Sequence, residues 1–153
     1  MTPRLLFRVV AIAEAVTWAL LLTAMFLKYV SRTTDALVPP AGGVHGFVFL
    51  CYVAVTVFVW VNQRWSFGTG VLGLVSAVVP FATVPFDVVM DRRGRLDGGW
   101  RLAAGGDTPR GPLEHVQAWV LRRPVVAVIS AVVLVTAVFV ALLVIGPPVP
   151  PPS

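Results

Sequence analysis

The chain has 153 residues, 58% of them hydrophobic and 12% charged, with a mean hydropathy of +0.87. Soluble domains carry about twice that charge fraction, so the composition excludes an ordinary soluble domain and points to a membrane-embedded chain. Twelve Lys and Arg against seven Asp and Glu give a pI near 10.7, yet the basic residues stand between apolar runs, where they serve topology and anionic-lipid contact, and no nucleic-acid partner is expected.

Four stretches are long enough to cross a bilayer, which takes about 20 apolar residues at about 1.5 Å each. The expected fold is therefore all-α, an integral membrane helical bundle with four transmembrane helices. The first span runs from Leu5 to Leu27. Arg4, Arg8 and the Ala13-Glu14-Ala15 triplet imitate a cleavable signal peptide, but the apolar run before the triplet is too short and the pattern continues past it, so the helix reads as retained. The second span, Val44–Val61, opens in "AGGVHGF", where Gly42 and Gly46, four apart, would let another helix close on His45. Cys51 lies inside it as the single cysteine, which excludes an intrachain disulfide and reads as a packed apolar residue.

The third span is Phe67–Phe86. It holds Gly68, Gly70 and Gly73 in the order G-x-G-x-x-G, with Asp87 further on, the outline of a dinucleotide-binding fingerprint. That fingerprint must follow a strand and open a soluble helix. Here a polar turn, "VNQRW", precedes a membrane helix, so the small residues read as packing, with Thr69, Gly73 and Ala77 on one face. Pro80 and Pro85 should kink or unwind its end. Beyond it, the segment 91–123 is Arg-rich. Its Gly-rich parts read as irregular, and residues 112–123 as a helix with Pro112 at its first position, either lying along the membrane interface or serving as a charged linker. Arg92, Arg93, Arg95, Arg122 and Arg123 are the candidates for lipid or partner contact. The fourth span, Pro124–Ile145, carries no charge, and the tail "PPVPPPS" reads as extended polyproline. The chain thus divides into a three-helix core over 1–90, a loop over 91–123, a fourth transmembrane helix over 124–146 and a Pro-rich tail over 147–153.

On a four-span path, Arg4, Arg8 and Arg64 fall on one side. Lys28, Arg32, Arg92, Arg93, Arg95, Arg101, Arg110, Arg122 and Arg123 fall on the other, nine against three. The positive-inside rule then places both termini outside and the 87–123 loop in the cytoplasm. Eleven of the twelve basic residues are Arg in a Val-, Ala-, Gly- and Pro-rich background, which suggests the cell membrane of a high-GC bacterium.

Glu14 is the most informative polar residue. A charged, unpaired carboxylate at that depth costs about 2.5–3.5 kcal/mol on insertion scales, so it should face protein or water. It reads either as a protonated acid bonded to Thr17 or a neighbouring helix, or as a proton or cation site. The path places Glu14 about 20 Å above the inner surface and His45 close to that surface, so the two should not meet. Asp87 and Lys28 are the expected neighbours of His45. A bis-histidine haem would need a second membrane histidine, and His115 lies in the loop, so no metal or cofactor is expected.

"FRVVAIAEAVTWALLL", "LKYV", "GGVHGFVFLCYV", "RWS" and "SAVVPFATVPFD", in that order over roughly residues 4 to 93, resemble the small bacterial membrane proteins grouped as domain of unknown function 3817. The resemblance implies a three-helix core with an acid in the first helix, at Glu14, and a His-Gly pair opening the second, at His45 and Gly46. It implies no activity. The Arg-rich loop and the fourth span depart from it. An acid in the first of four short helices is also similar to the small multidrug resistance transporters, although the long basic loop is not.

No nucleophile–base pair, metal set or P-loop is recognisable, and the chain is not expected to be an enzyme. The leading expectation is an accessory, scaffold or regulatory subunit of a larger membrane complex, held by anionic lipid and by other membrane subunits or self-association. The alternative is a small proton-coupled transporter using Glu14.

Overall fold

A computed structural model describes residues 1–130 together with 133 and 137. The chain divides into two compact units, the first Met1–Arg101 and the second beginning at Leu102. The described residues are helical and contain no strand.

The first unit is built on two long antiparallel helices, α1 (Pro3–Tyr29) and α2 (Val38–Gln63). α1 starts where the Thr2 hydroxyl accepts from Leu5 N and Pro3 fills the first position, where no amide partner is needed. At about 1.5 Å per residue each helix is close to 40 Å long, enough for a hydrocarbon core of about 30 Å. Both are long and apolar enough to cross a membrane. α1 is also inside out relative to a soluble helix. Leu5, Val9, Ile12, Val16 and Leu20 are exposed, whereas Glu14 and Thr17 are buried. Apolar side chains outside and polar ones inside suit lipid as the surrounding solvent.

The expected third span does not form as one helix. It is split into α3 (Phe67–Val78) and α4 (Thr83–Arg92). The cause is local: Val79, immediately before a proline, is extended at φ −93°, ψ 120°, and Phe81 takes a left-handed φ of 65°. The chain therefore reverses. Ser66 caps α3 at the end of the bundle where α1 begins and α2 finishes. The indole of Trp18 donates to Ala77 O at 3.3 Å at the far end of α3. α4 then descends, with Thr83 Oγ1 donating to Ala11 O at 2.9 Å and Asp87 reaching Arg8. Pro85, two residues inside α4, is tolerated in the first turn. The hairpin thus enters and leaves at one end and reaches only as deep as Trp18. Among the described residues, α1 and α2 are the two helices long and apolar enough to cross a membrane, and α3 is a shorter apolar one. The expected fourth span falls largely on residues outside the description, although 124–130 are helical.

The core of the first unit sits at the hairpin level. The ring of Phe7 lies 5.6, 5.8 and 6.1 Å from those of Tyr52, Trp65 and Phe86. Gly73 lets α3 approach closely, since a Cβ there would stand 3.0 Å from Thr56 Cγ2, and Ala77 is fully buried on the same face. Thr69 instead bonds the Ser66 hydroxyl at 2.9 Å. Gly70, a member of the G-x-G-x-x-G motif outside the expected packing face, is the tightest position, because a Cβ would run into the Trp60 ring. The glycine motif is thus part of a helix cap and packing face. Among the described residues, nothing lies within 4 Å of a Cβ built on Gly42 or Gly46, so no helix of this chain closes on them.

In the second unit, the expected loop helix is present as α5 (Pro112–Arg122). Glu114 in its first turn ties down the preceding chain by accepting from Arg110 N at 2.8 Å, and Leu113, Val116 and Trp119 are exposed.

Candidate functional site

Two polar clusters lie inside the first unit. The deeper one is built on α1 and α2. Glu14 is fully buried, and its Oε2 lies 3.4 Å from His45 Nδ1. The Thr17 hydroxyl stands between them, 3.2 Å from Glu14 Oε2 and 3.1 Å from His45 Nδ1, and also donates to Glu14 O at 3.0 Å. One hydroxyl proton cannot serve three acceptors at once, so the His45 tautomer decides which group donates. Trp18 and Phe49 flank the imidazole, with ring centroids 4.5 and 6.4 Å away. Glu14 Oε1 is buried without a hydrogen-bond partner among the described residues.

This meeting corrects the expectation that Glu14 and His45 are far apart. That expectation let α2 begin level with the end of α1. In fact the connection folds back on α1: Ser31 N donates to Phe26 O at 3.1 Å and Thr33 N to Leu27 O at 3.0 Å. α2 also begins at Val38, six residues before the expected Val44. Leu37, Pro40, Ala41 and Val44 consequently line one apolar groove with Leu20, Thr23 and Ala24, well below the top of α1. His45 is thereby carried down to Glu14.

The second cluster is built on α1 and α4. Arg8 Nε donates to Asp87 Oδ2 at 2.9 Å and its Nη2 to Asp91 Oδ2 at 2.6 Å. Arg4 Nε reaches Asp91 Oδ1 at 2.7 Å, and its Nη2 also bonds Asp97. Arg4 and Arg8 are one helical turn apart, as are Asp87 and Asp91, so two antiparallel helices bring the four into register. The hydrogen bond from Arg8 holds the Asp91 carboxyl below the usual carboxylate range, with the Arg4 and Arg8 charges acting in the same direction. Asp87 is nearly buried, and its Oδ1 has no partner among the described residues. Asp87 is thus the partner of Arg8 rather than of His45, because the hairpin turns it back toward the start of α1.

A further set of contacts corrects the expected separation of the amino terminus from residues 87–101. Trp100 Nε1 donates to Met1 O at 2.7 Å, Trp65 Nε1 to Arg95 O at 2.9 Å, and Gln63 Nε2 to Asp97 O at 3.0 Å. The amino terminus and residues 87–101 therefore share one end of the bundle, whereas a continuous third span would have separated them. Arg92, Arg93 and Arg95 are exposed at that end, and Arg122 and Arg123 are exposed in the second unit.

Between the clusters, the Tyr52 hydroxyl lies 2.9 Å from Ser76 Oγ, which donates to Gly73 O at 2.6 Å. Sequence reading did not select Arg8, Tyr52, Ser76 or Asp91. The matched four-residue spacing of Arg4–Arg8 and Asp87–Asp91 was the available signal, and it needed the helix break to be interpretable.

A family model described as "Domain of unknown function (DUF3817)" matches residues 5–92. The "Putative membrane protein SCO5905" of Streptomyces coelicolor is 45% identical over 98 residues, which are 62% of this chain and 12% of that protein. The chain thus aligns with a small part of this relative. No solved structure matches it.

Proposed function

Since this membrane protein belongs to the DUF3817 family, we propose that it is a non-enzymatic accessory subunit that packs within a larger bacterial membrane assembly. The observation that carries this reading is the 12% share of the Streptomyces relative taken up by the matching region, which makes that region one module of a much longer chain. A region that one membrane protein carries as a module of a large polypeptide is suited to packing against other membrane segments. The apolar outward stripe of α1 offers helix-packing surface for such partners.

In this reading α1 and α2 cross the bilayer, and α3 and α4 form a re-entrant hairpin. Arg4, Arg8, Arg64, Arg92, Arg93, Arg95 and Arg101 stand at the hairpin end of the first unit, against Lys28 and Arg32 at the opposite end. Seven against two puts the amino terminus and residues 87–101 in the cytoplasm. Purification from the source membrane in mild detergent, followed by native mass determination, tests the subunit role. Fixed-ratio recovery with larger membrane proteins is expected, and recovery as a lone oligomer would overturn it.

The second reading is proton-linked transport through Glu14. It is favoured by a fully buried carboxylate with one unpartnered oxygen and an imidazole at 3.4 Å. In proteoliposomes under a potassium diffusion potential, wild type should take up protons and Glu14→Gln should not. Equal uptake by both would end this reading.

A further inference from the structure

We infer that Tyr52 and Ser76 form a proton relay joining Glu14 to Asp87, so that Glu14 exchanges protons with the Arg8 end of the bundle; the inference rests on the reading of Glu14 as a proton-linked site. The argument begins with distance along α1. Arg8, which holds Asp87, is six residues from Glu14, about 9 Å along the axis. That gap is too long for direct transfer and short enough for a few hydroxyl or water steps.

Polar groups occupy the interval. Helical side chains lean toward their own amino terminus, so Tyr52 on the antiparallel α2 points from the level of Phe7 toward that of Glu14. Its hydroxyl meets Ser76 Oγ at 2.9 Å, and the phenol lies within electrostatic range of both Glu14 and Asp87. Thr83 Oγ1, donating to Ala11 O, marks the midpoint on α4. A hydroxyl is donor and acceptor at once and can pass a proton while keeping its own charge at zero.

Each end of the interval carries an orphan oxygen. Glu14 Oε1 and Asp87 Oδ1 are both buried and lack a hydrogen-bond partner among the described residues. Buried polar atoms of this kind are the usual anchors of internal water, and the relay requires water between the hydroxyl pair and each carboxylate. The proton leaves the Asp87 carboxyl, the Ser76–Tyr52 pair releases one proton as it accepts one, and the Glu14 carboxylate gains it. One proton moves from Asp87 to Glu14, and the two hydroxyls, left with reversed polarity, rotate back before the next transfer, Ser76 again donating to Gly73 O.

The charged and titratable groups facing this path are Arg4, Arg8 and Glu14 on α1, His45 and Tyr52 on α2, and Asp87 and Asp91 on α4. α3 contributes only the Ser76 hydroxyl. Arg8 and Asp91 are partly exposed, so the Asp87 end is in contact with solvent, while the His45 side chain is 12% exposed at the other end. The competing entry is through His45.

The test is time-resolved infrared spectroscopy of the full chain in lipid after a pH jump, following the protonated-carboxyl band that Glu14→Gln removes. Tyr52→Phe should slow the rise of that band by about a hundredfold, the lower end of what a positioned proton donor contributes, while leaving its equilibrium midpoint in place. Ser76→Ala should slow it similarly, which guards against a folding defect in either variant. Unchanged rates in both variants, with slowing by His45→Phe instead, would overturn the relay and leave the proton-linked site standing. A Glu14 band that never titrates would overturn both.

Discussion

Arg8→Met removes the cation that two α4 carboxylates share. The Arg8 side chain is 38% exposed and that of Asp87 only 4%, so the partners depend on each other unequally. Removing one member of a buried pair costs about 3–5 kcal/mol, because the other charge is left stranded. The exposure of Arg8 reduces this to about 2–3 kcal/mol. Protonation sets a ceiling: a stranded carboxylic acid of ordinary acidity can neutralise itself at pH 7 for about 4 kcal/mol. The converse change is milder. After Asp87→Asn, Arg8 keeps its 2.6 Å bond to Asp91, and the loss should be about 1 kcal/mol, that of one hydrogen bond weakened but not orphaned. Arg8→Met combined with Asp87→Leu leaves no stranded charge and should regain most of the stability. Denaturant unfolding in detergent micelles, followed by tryptophan fluorescence and far-UV circular dichroism, measures all three. The reasoning fails if Asp87→Asn costs as much as Arg8→Met, or if the double variant is less stable than Arg8→Met alone.

Packing and topology yield further expectations. Gly70→Leu should destabilise by at least about 1–3 kcal/mol and shift the emission of Trp60, whose ring occupies the space a side chain would need. Gly46→Ala, at a mid-helix position with open space beside it, should instead stabilise by about 0.5–1 kcal/mol in a thermal melt; a loss would reveal another chain packed there. With its carboxyl held below the ordinary value of 3.8, Asp91 contributes stability that is complete above that value and fades as pH falls through the lowered one. Acid unfolding of Asp91→Asn should therefore lack part of the slope that wild type shows below about pH 4, and identical profiles would argue against the ion pair. In a Cys51→Ala background, single cysteines at Thr2 and Gly98 should be labelled by an impermeant maleimide from the same side and one at Thr34 from the other. Opposite labelling of the first two would restore a continuous third span.

What could be read directly were the features that depend on composition and period. α1 falls within two residues of the expected limits, α5 where Pro112 announced it, and the glycine motif in a helix for the reasons its context supplied. Two of the glycine-face residues, Gly73 and Ala77, also pack as expected. The errors share one origin. Hydropathy counts apolar residues without asking whether they continue in one direction, and "VVPFATVPFD" is as apolar on both sides of a reversal as in a straight span. Pro80 gave warning of a break, but its angle is set by Val79 and Phe81 in combination, which no window average contains. A continuous span puts Asp87 at the far end of the bundle, whereas the reversal returns it to Arg8 near the start of α1. The Glu14–His45 meeting was lost differently, through a connection that folds back on α1 instead of continuing outward.

The hairpin has a consequence for arithmetic as well as for shape. A segment that turns back contributes nothing to the parity of crossings, so in the proposed arrangement residue 101 emerges on the side where residue 1 began. Whatever follows can be lengthened, shortened or exchanged without inverting the preceding helices, because their insertion is already balanced. A unit with even parity can be spliced into a long polypeptide as a neutral insert.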